Sequence, residues 1–172
     1  MNAELKTRPR SLNDGNSDPL LPVRKQLNHN APFRCPDAFY FVTICAKQRG
    51  SSVLTDTAEP ILNAARHRQL TGKWFLSLFL IMPDHVHMLV HVPPSDKLSS
   101  VICDFKRYLM TEHGLAFQYG YFDTRIRDAE HYDEKWKYIV RNPVVRGLAS
   151  TPREWPHVIA FDRRTGQERP HR

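Results

Sequence analysis

His85 and His87 stand two residues apart in the run Met82-Pro83-Asp84-His85-Val86-His87-Met88-Leu89-Val90. On a strand, side chains alternate between faces, so the two imidazoles project the same way, about 7 Å apart along the backbone. Val86 and Met88 then project the other way, into a core. Two imidazoles fixed on one face of a rigid element can share one divalent cation. By itself the His-x-His spacing is weak, because plain strands carry such pairs bonded to backbone or carboxylate. His91 has the same phase but falls at the end of the strand, a rim position.

A second set of residues adds what the pair lacks. Residues Ala129 to Arg141 read as a helix, stopped by Asn142-Pro143 because the residue before proline disfavours the helical region. On a wheel of 100° per residue, Tyr132, Trp136, Ile139 and Val140 form the packing stripe. Tyr138 and Asn142 lie one turn apart on a different flank, shared with His131 and Lys135. An amide oxygen can serve as a hard third metal ligand, and a phenol beside the metal can serve as a nucleophile. The phenol is a weak nucleophile at its free pKa of about 10 and needs a nearby cation. The plainer alternatives are a core tyrosine at 138 and a simple helix end at 142.

The elements that must position these groups follow in order. Phe39 to Cys45, dense in aromatic and β-branched residues, reads as a buried strand. Thr57 to Leu70 reads as a helix with Pro60 in its first turn, ended by Gly72. Trp74 to Met82 and His85 to Val92 read as two strands joined through Pro83-Asp84. Pro93-Pro94 stops the second. A helix capped by Ser95 or Ser99 then runs to about His113, with Val101, Ile102, Phe105, Tyr108 and Leu109 as its apolar stripe. Leu115 to Arg127 holds a loop and a fourth strand. The order β-α-β-β-α-β-α predicts an α+β fold of the ferredoxin-like split βαβ kind, with an antiparallel sheet, helices on one face and an added C-terminal helix. The other sheet face is expected to be open, a floor for a site.

Composition sets outer bounds. Of 172 residues, 41% are hydrophobic, enough for one core, and the formal charge is +7. A basic excess points weakly to an anionic partner, with nucleic acid the commonest. Three cysteines with no Cys-x-x-Cys argue against a disulfide framework or zinc ribbon, hence a cytoplasmic protein with reduced thiols. The longest apolar run, Trp74 to Met82, is too short for a membrane span. Three segments are expected: a flexible basic arm over 1–36, a domain over 37–150 and a basic tail over 151–172.

The blocks Met82-Pro83-Asp84-His85-Val86-His87 and Tyr138-Ile139-Val140-Arg141-Asn142-Pro143-Val144-Val145-Arg146-Gly147 resemble those of the REP-associated tyrosine transposases, within the single-tyrosine HUH insertion-sequence transposases. Phe39-Tyr40-Phe41-Val42-Thr43, Arg127-Asp128-Ala129-Glu130-His131-Tyr132 and Glu154-Trp155-Pro156 join the match, which spans roughly residues 38 to 157. The resemblance implies that His85 and His87 hold Mg or Mn, that Asn142 completes the metal site and that Tyr138 is the catalytic tyrosine. It implies cleavage of single-stranded DNA beside hairpins, leaving a 5′-phosphotyrosine and a free 3′-OH that later rejoins without ATP. Such a protein is nucleoid-associated when on DNA. Relatives act as monomers or as homodimers that exchange the tyrosine helix, and the sequence leaves that choice open.

The sequence departs from the family at Thr124, where the fourth strand often carries a histidine. That motivates an alternative reading, a domesticated DNA-binding protein that recognises hairpin repeats with a weakened catalytic centre. Asp123, Lys135, Arg125 and Arg127 are candidates for supporting the metal site or gripping phosphates.

Overall fold

The computed structural model describes residues 38–169. The arm expected over 1–36 lies outside them. Strand β1 (Phe39–Cys45) is followed by short helix α1 (Val53–Asp56) and helix α2 (Ala58–Leu70). Strands β2 (Phe75–Met82) and β3 (His85–His91) form a hairpin. Helix α3 (Leu98–His113), strand β4 (Phe122–Arg125) and helix α4 (Ala129–Val145) come next. A 3-10 turn at Pro152–Glu154 leads to β5 (Val158–Phe161) and β6 (Glu168–Arg169). The six strands make one sheet in the order β4-β1-β3-β2-β5-β6, antiparallel throughout.

The expected α+β fold with an antiparallel sheet is what forms. Helices α1, α2 and α3 bury one sheet face. Val42 and Ile44 of β1, Phe79 and Ile81 of β2, and Val86, Met88 and Val90 of β3 meet Ile61, Ala65, Ile102, Phe105 and Leu109 there. This is the core into which Val86 and Met88 were expected to point; they are 1% and 0% exposed. Trp74 anchors it, with its ring 4.8 Å from that of Phe105 and its indole N–H donating to the Ala65 carbonyl at 3.2 Å. Gly114 ends α3 at φ 66°, a left-handed position that glycine reaches without steric cost. The cap at the other end of α3 differs from expectation. Lys97 is the N-cap with no side-chain bond, and Ser99 lies inside the first turn.

Two larger expectations are corrected. The second face of the sheet is not open. Leu78, Leu80, Met82 and Leu89 project from it and are covered by Ile139, Trp155 and the half-buried Tyr132, Trp136 and Val140. The packing stripe read from the helix wheel is the stripe that docks. Trp155 donates its indole N–H to the Ile81 carbonyl at 2.9 Å, pinning the chain after α4 to β2. Residues 151–172, expected as a tail, supply β5 and β6. The sequence Val158-Ile159-Ala160-Phe161 alternates between the two cores over only four residues, too short a pattern to separate from loop. A bidentate pair from Arg66 of α2 to Glu168, at 2.9 and 3.1 Å, fastens β6.

The helix end also moves. α4 passes through Asn142 and Pro143 to Val145. Proline removes only its own N–H bond, the one Ile139 would accept, and the bias against helix at the preceding residue is a preference that packing overrides. Pro143 is itself buried, and Arg146 N–H returns to the Asn142 carbonyl at 3.0 Å. Asn142 is therefore a helical residue one turn beyond Tyr138, not a stop.

Phe105 is 1% exposed and wedged between Trp74 and Phe79, so Phe105→Ala should lower unfolding free energy by about 3–5 kcal/mol. Tyr138, 40% exposed, should tolerate Phe within about 0.5 kcal/mol. Urea melts of both variants check this contrast.

Candidate active site

The site begins with strand register. β1 pairs with β3 so that Thr43 faces His87 and Cys45 faces His85. From the other side, Leu80 faces His87 and Met82 faces His85. Cross-strand partners share a sheet face, so the histidines stand among Thr43, Cys45, Leu80 and Met82 under α4. Both are 2% exposed. Their Nε2 atoms approach to 3.1 Å, and their outer nitrogens are each tied down. His85 Nδ1 lies 2.7 Å from Asp84 Oδ1, and His87 Nδ1 lies 2.8 Å from Thr43 Oγ1.

Those four groups satisfy one another in a single way once Asp84 is ionised. The carboxylate accepts from His85 Nδ1–H, which leaves His85 Nε2 as an acceptor for His87 Nε2–H. His87 Nδ1 then accepts from the Thr43 hydroxyl. Thr43 is able to reverse: a hydroxyl both donates and accepts. If the His87 proton sits on Nδ1 and Thr43 accepts it, both Nε2 lone pairs point at one spot.

Asp84 is well prepared to stay ionised. Burial raises its pKa, but the His85 hydrogen bond, the Gly50 amide at 2.8 Å and the Arg49 guanidinium at 3.2 Å outweigh that and bring it to about 2. The histidines are shifted oppositely. Burial pushes His85 below its ordinary 6.5, against the pull of Asp84. Burial pushes His87 well below, and the charges of His85 and Arg146 add to this. Neutral imidazoles are the form that binds metals.

Tyr138 reaches this pair within the same chain. Its ring centroid is 5.5 Å from that of His87. Phe41 is stacked on His87 at 5.4 Å and meets Tyr138 edge-on at 5.8 Å, so one aromatic side chain spaces the other two. Asn142 is 8% exposed. Lys135, on the same flank of α4, holds its ammonium 5.9 Å from the Phe41 ring and pairs with Glu134. Among the described residues, no cluster of three or more His, Cys, Asp or Glu side chains has the makings of a metal site.

The fourth strand divides the remaining candidates. Thr124 pairs with Phe41 and shares the histidine face. Asp123 and Arg125 pair with Val42 and Tyr40, which pack in the helix-covered core, and so lie on the opposite face. Arg127 lines a separate surface cleft with Phe39, Tyr132 and Arg163. Sequence reasoning missed Thr43, Asp84, Arg49 and Arg146. Asp84 was visible as the acid next to His85. Thr43 is found only through the β1–β3 register.

The site thus joins two converging imidazoles and a neighbouring helical tyrosine on a mixed sheet-and-helix domain. Residues 36–139 match the family described as IS200-like transposases, and the chain belongs to that family. It is 26% identical to a protein of Haemophilus influenzae named as a REP-associated tyrosine transposase, over 69% of this chain and 77% of the relative. Its fold resembles that of a REP-associated tyrosine transposase solved with a REP hairpin, at a TM-score of 0.64 and 22% identity, covering 70% of this chain and 75% of the other. The resemblance drawn from the Pro-Asp-His-Val-His and Tyr-x4-Pro blocks is borne out. No helix among the described residues is long and apolar enough to cross a membrane.

The lowered histidine pKa values have a stability consequence. Below about pH 6.5 an unfolded chain takes up protons that the folded protein refuses, so stability falls as pH drops. Urea midpoints of the metal-free protein should decline from about pH 7 to about pH 5, and His87→Asn should flatten that decline.

Proposed function

We propose that this protein is a metal-dependent, single-tyrosine DNA transposase that cleaves and rejoins hairpin-flanked single-stranded DNA. The observation that carries the reading is the contact of Tyr138 with His87 of the same chain, at 5.5 Å between rings, beside two Nε2 atoms 3.1 Å apart. A tyrosine from the same chain makes a composite centre without exchange of α4, so a monomer suffices. The relative solved with a REP hairpin supports the choice of DNA partner.

The donor set suits a divalent cation. Each histidine has its Nδ1 engaged, by Asp84 or Thr43, which leaves Nε2 for a metal. His85 and His87 would hold it, with the Asn142 amide as an oxygen donor; Mg or Mn is the natural match for a site that must also take phosphate oxygen. Bound there, the cation supplies Lewis-acid polarisation of the scissile phosphate.

The chain's own residues do the rest. The Tyr138 oxygen, once its proton has left to solvent, attacks phosphorus; the P–O3′ bond breaks and the 3′ oxygen takes a proton. The 5′ phosphate is then esterified to Tyr138. The phosphodiester bond energy is retained in that ester, and a 3′-OH can attack it to reverse the step. Tyr138 is exposed enough to meet a strand laid along α4. The bulk of Phe41 fixes how close its ring comes to His87.

Incubation of the protein with a labelled hairpin carrying single-stranded flanks and Mn should give a DNA adduct stable to denaturant. Tyr138→Phe should abolish it. Equal adduct with both proteins, or none with either, defeats the proposal. A second reading has one motive: Thr124, exposed on the site face opposite Phe41, stands where the family resemblance implies a histidine. A DNA-binding protein with a decayed centre would bind hairpins equally well with EDTA and as Tyr138→Phe, while forming no adduct.

Removing the groups behind the imidazoles should weaken the metal more than the fold. Thr43→Val and Asp84→Asn should each lower Mn affinity by about 10–100-fold, read by titration calorimetry.

A further inference from the structure

A second constellation lies at the far end of the same sheet face. His91 is four residues beyond His87 and keeps its phase, roughly 13 Å along the strand. Its ring packs 5.6 Å from Phe39 and 5.7 Å from Phe75, which is 44% exposed. Phe39 in turn meets Tyr132 edge-on at 5.9 Å. Above this aromatic row sits Arg163, from the turn between β5 and β6. Its guanidinium carbon is 4.7 Å from the Phe39 centroid and 4.6 Å from that of Tyr132.

The packing of Arg163 is unusual for an exposed side chain. Two rings, nearly perpendicular to each other, lie within cation–π distance of the guanidinium, and such contacts leave N–H groups able to donate. Among the described residues it has no carboxylate partner, and neither does Arg127, which lines the same cleft. Asp128 also lines the cleft, but one of its oxygens is committed to capping α4 through the His131 amide at 2.8 Å. The cleft is open and has a volume of about 200 Å³. Two cations without partners, one of them pre-oriented over aromatic rings, match a phosphodiester with its neighbouring bases.

We infer that Arg163 and Arg127 bind a backbone phosphate of the unpaired strand, while Phe75, His91 and Phe39 offer a stacking surface for its bases. The subsite rests on the proposed single-stranded DNA substrate. It places a grip on the strand a few nucleotides from Tyr138, so the strand is held at the start of α4 as well as at its middle. Arg163 comes from the segment that the sequence presents as a basic tail. Folding that segment back as β5 and β6 is what brings the arginine to the rings of β1 and α4.

The test compares binding of two probes by fluorescence anisotropy across a salt series, using the full chain in Mg. One probe is a hairpin with single-stranded flanks, and the other is the same hairpin without them. Arg163→Ala should weaken binding of the flanked probe and flatten its log–log salt slope by about 0.7, the contribution of one single-strand phosphate. Binding of the unflanked probe should not change. Arg127→Ala should repeat the pattern, which guards against a local folding defect in one variant. Unchanged slopes for both variants, with wild type still binding, overturn the subsite. Equal losses on both probes overturn its assignment to the unpaired strand. Failure of the wild type to bind either probe removes the proposed function itself, and the subsite with it.

Discussion

Everything at the centre depends on the pairing of β1 with β3. That register sets Thr43 against His87 and Cys45 against His85. A slip of one residue would turn both histidines into the helix-covered core and bring Val86 and Met88 up in their place. The slip is prevented on both faces. Val42, Ile44, Val86 and Met88 are all at most 1% exposed on one side, and Leu78, Leu80 and Leu89 likewise on the other. A sheet with one wet face would have only half of that restraint. Burial of the second face under α4 is therefore what makes the histidine geometry rigid, as well as what carries the tyrosine to it.

Docking α4 solves two problems with one stripe. Ile139, Trp136 and Tyr132 seat the helix on Leu78, Leu80 and Leu89. Tyr138 is next to Ile139 in sequence and so projects about 100° away, along the edge of the seat. It comes to rest against Phe41 and His87 while staying part-exposed. Pro143 within the helix leaves the Ile139 carbonyl without its regular helical donor, yet the helix continues and carries Asn142 inward. The interaction that fixes Tyr138 is thus hydrophobic, and the polar groups ride on it.

Much of this was legible from residue types and spacing, for physical reasons that also explain the gaps. Period-two alternation exposed the histidine face, and period-3.6 phase separated Tyr138 and Asn142 from the packing stripe. Both are local properties of the chain. The second core was not legible, because Leu78, Leu80 and Leu89 sit in continuous apolar runs that do not say which face is covered. The role of residues 158–161 was hidden by brevity: four residues, two of them facing each core, carry no distinctive period. Thr43 was invisible because its meaning comes from a partner 44 residues away. Asp123 and Arg125 lay close to the right motif, yet strand pairing with Val42 and Tyr40 turns them to the other face.

The charges around the histidines bear on what the centre can accept. Two buried, neutral imidazoles form a site that resists protonation, and Arg49 and Arg146 reinforce that resistance. A divalent cation would face the same arginines. What differs is Asp84: held to about 2, it keeps a full negative charge behind His85 at any physiological pH. A proton arriving at Nε2 gains one hydrogen bond, whereas a cation with two imidazoles and an oxygen donor gains several bonds at once. The arginines then become an asset, since they do not compete for the cation and their charge favours an anionic phosphate coming beside it. Under the proposed function, the arrangement would penalise a lone proton and reward a cation that arrives with a phosphate.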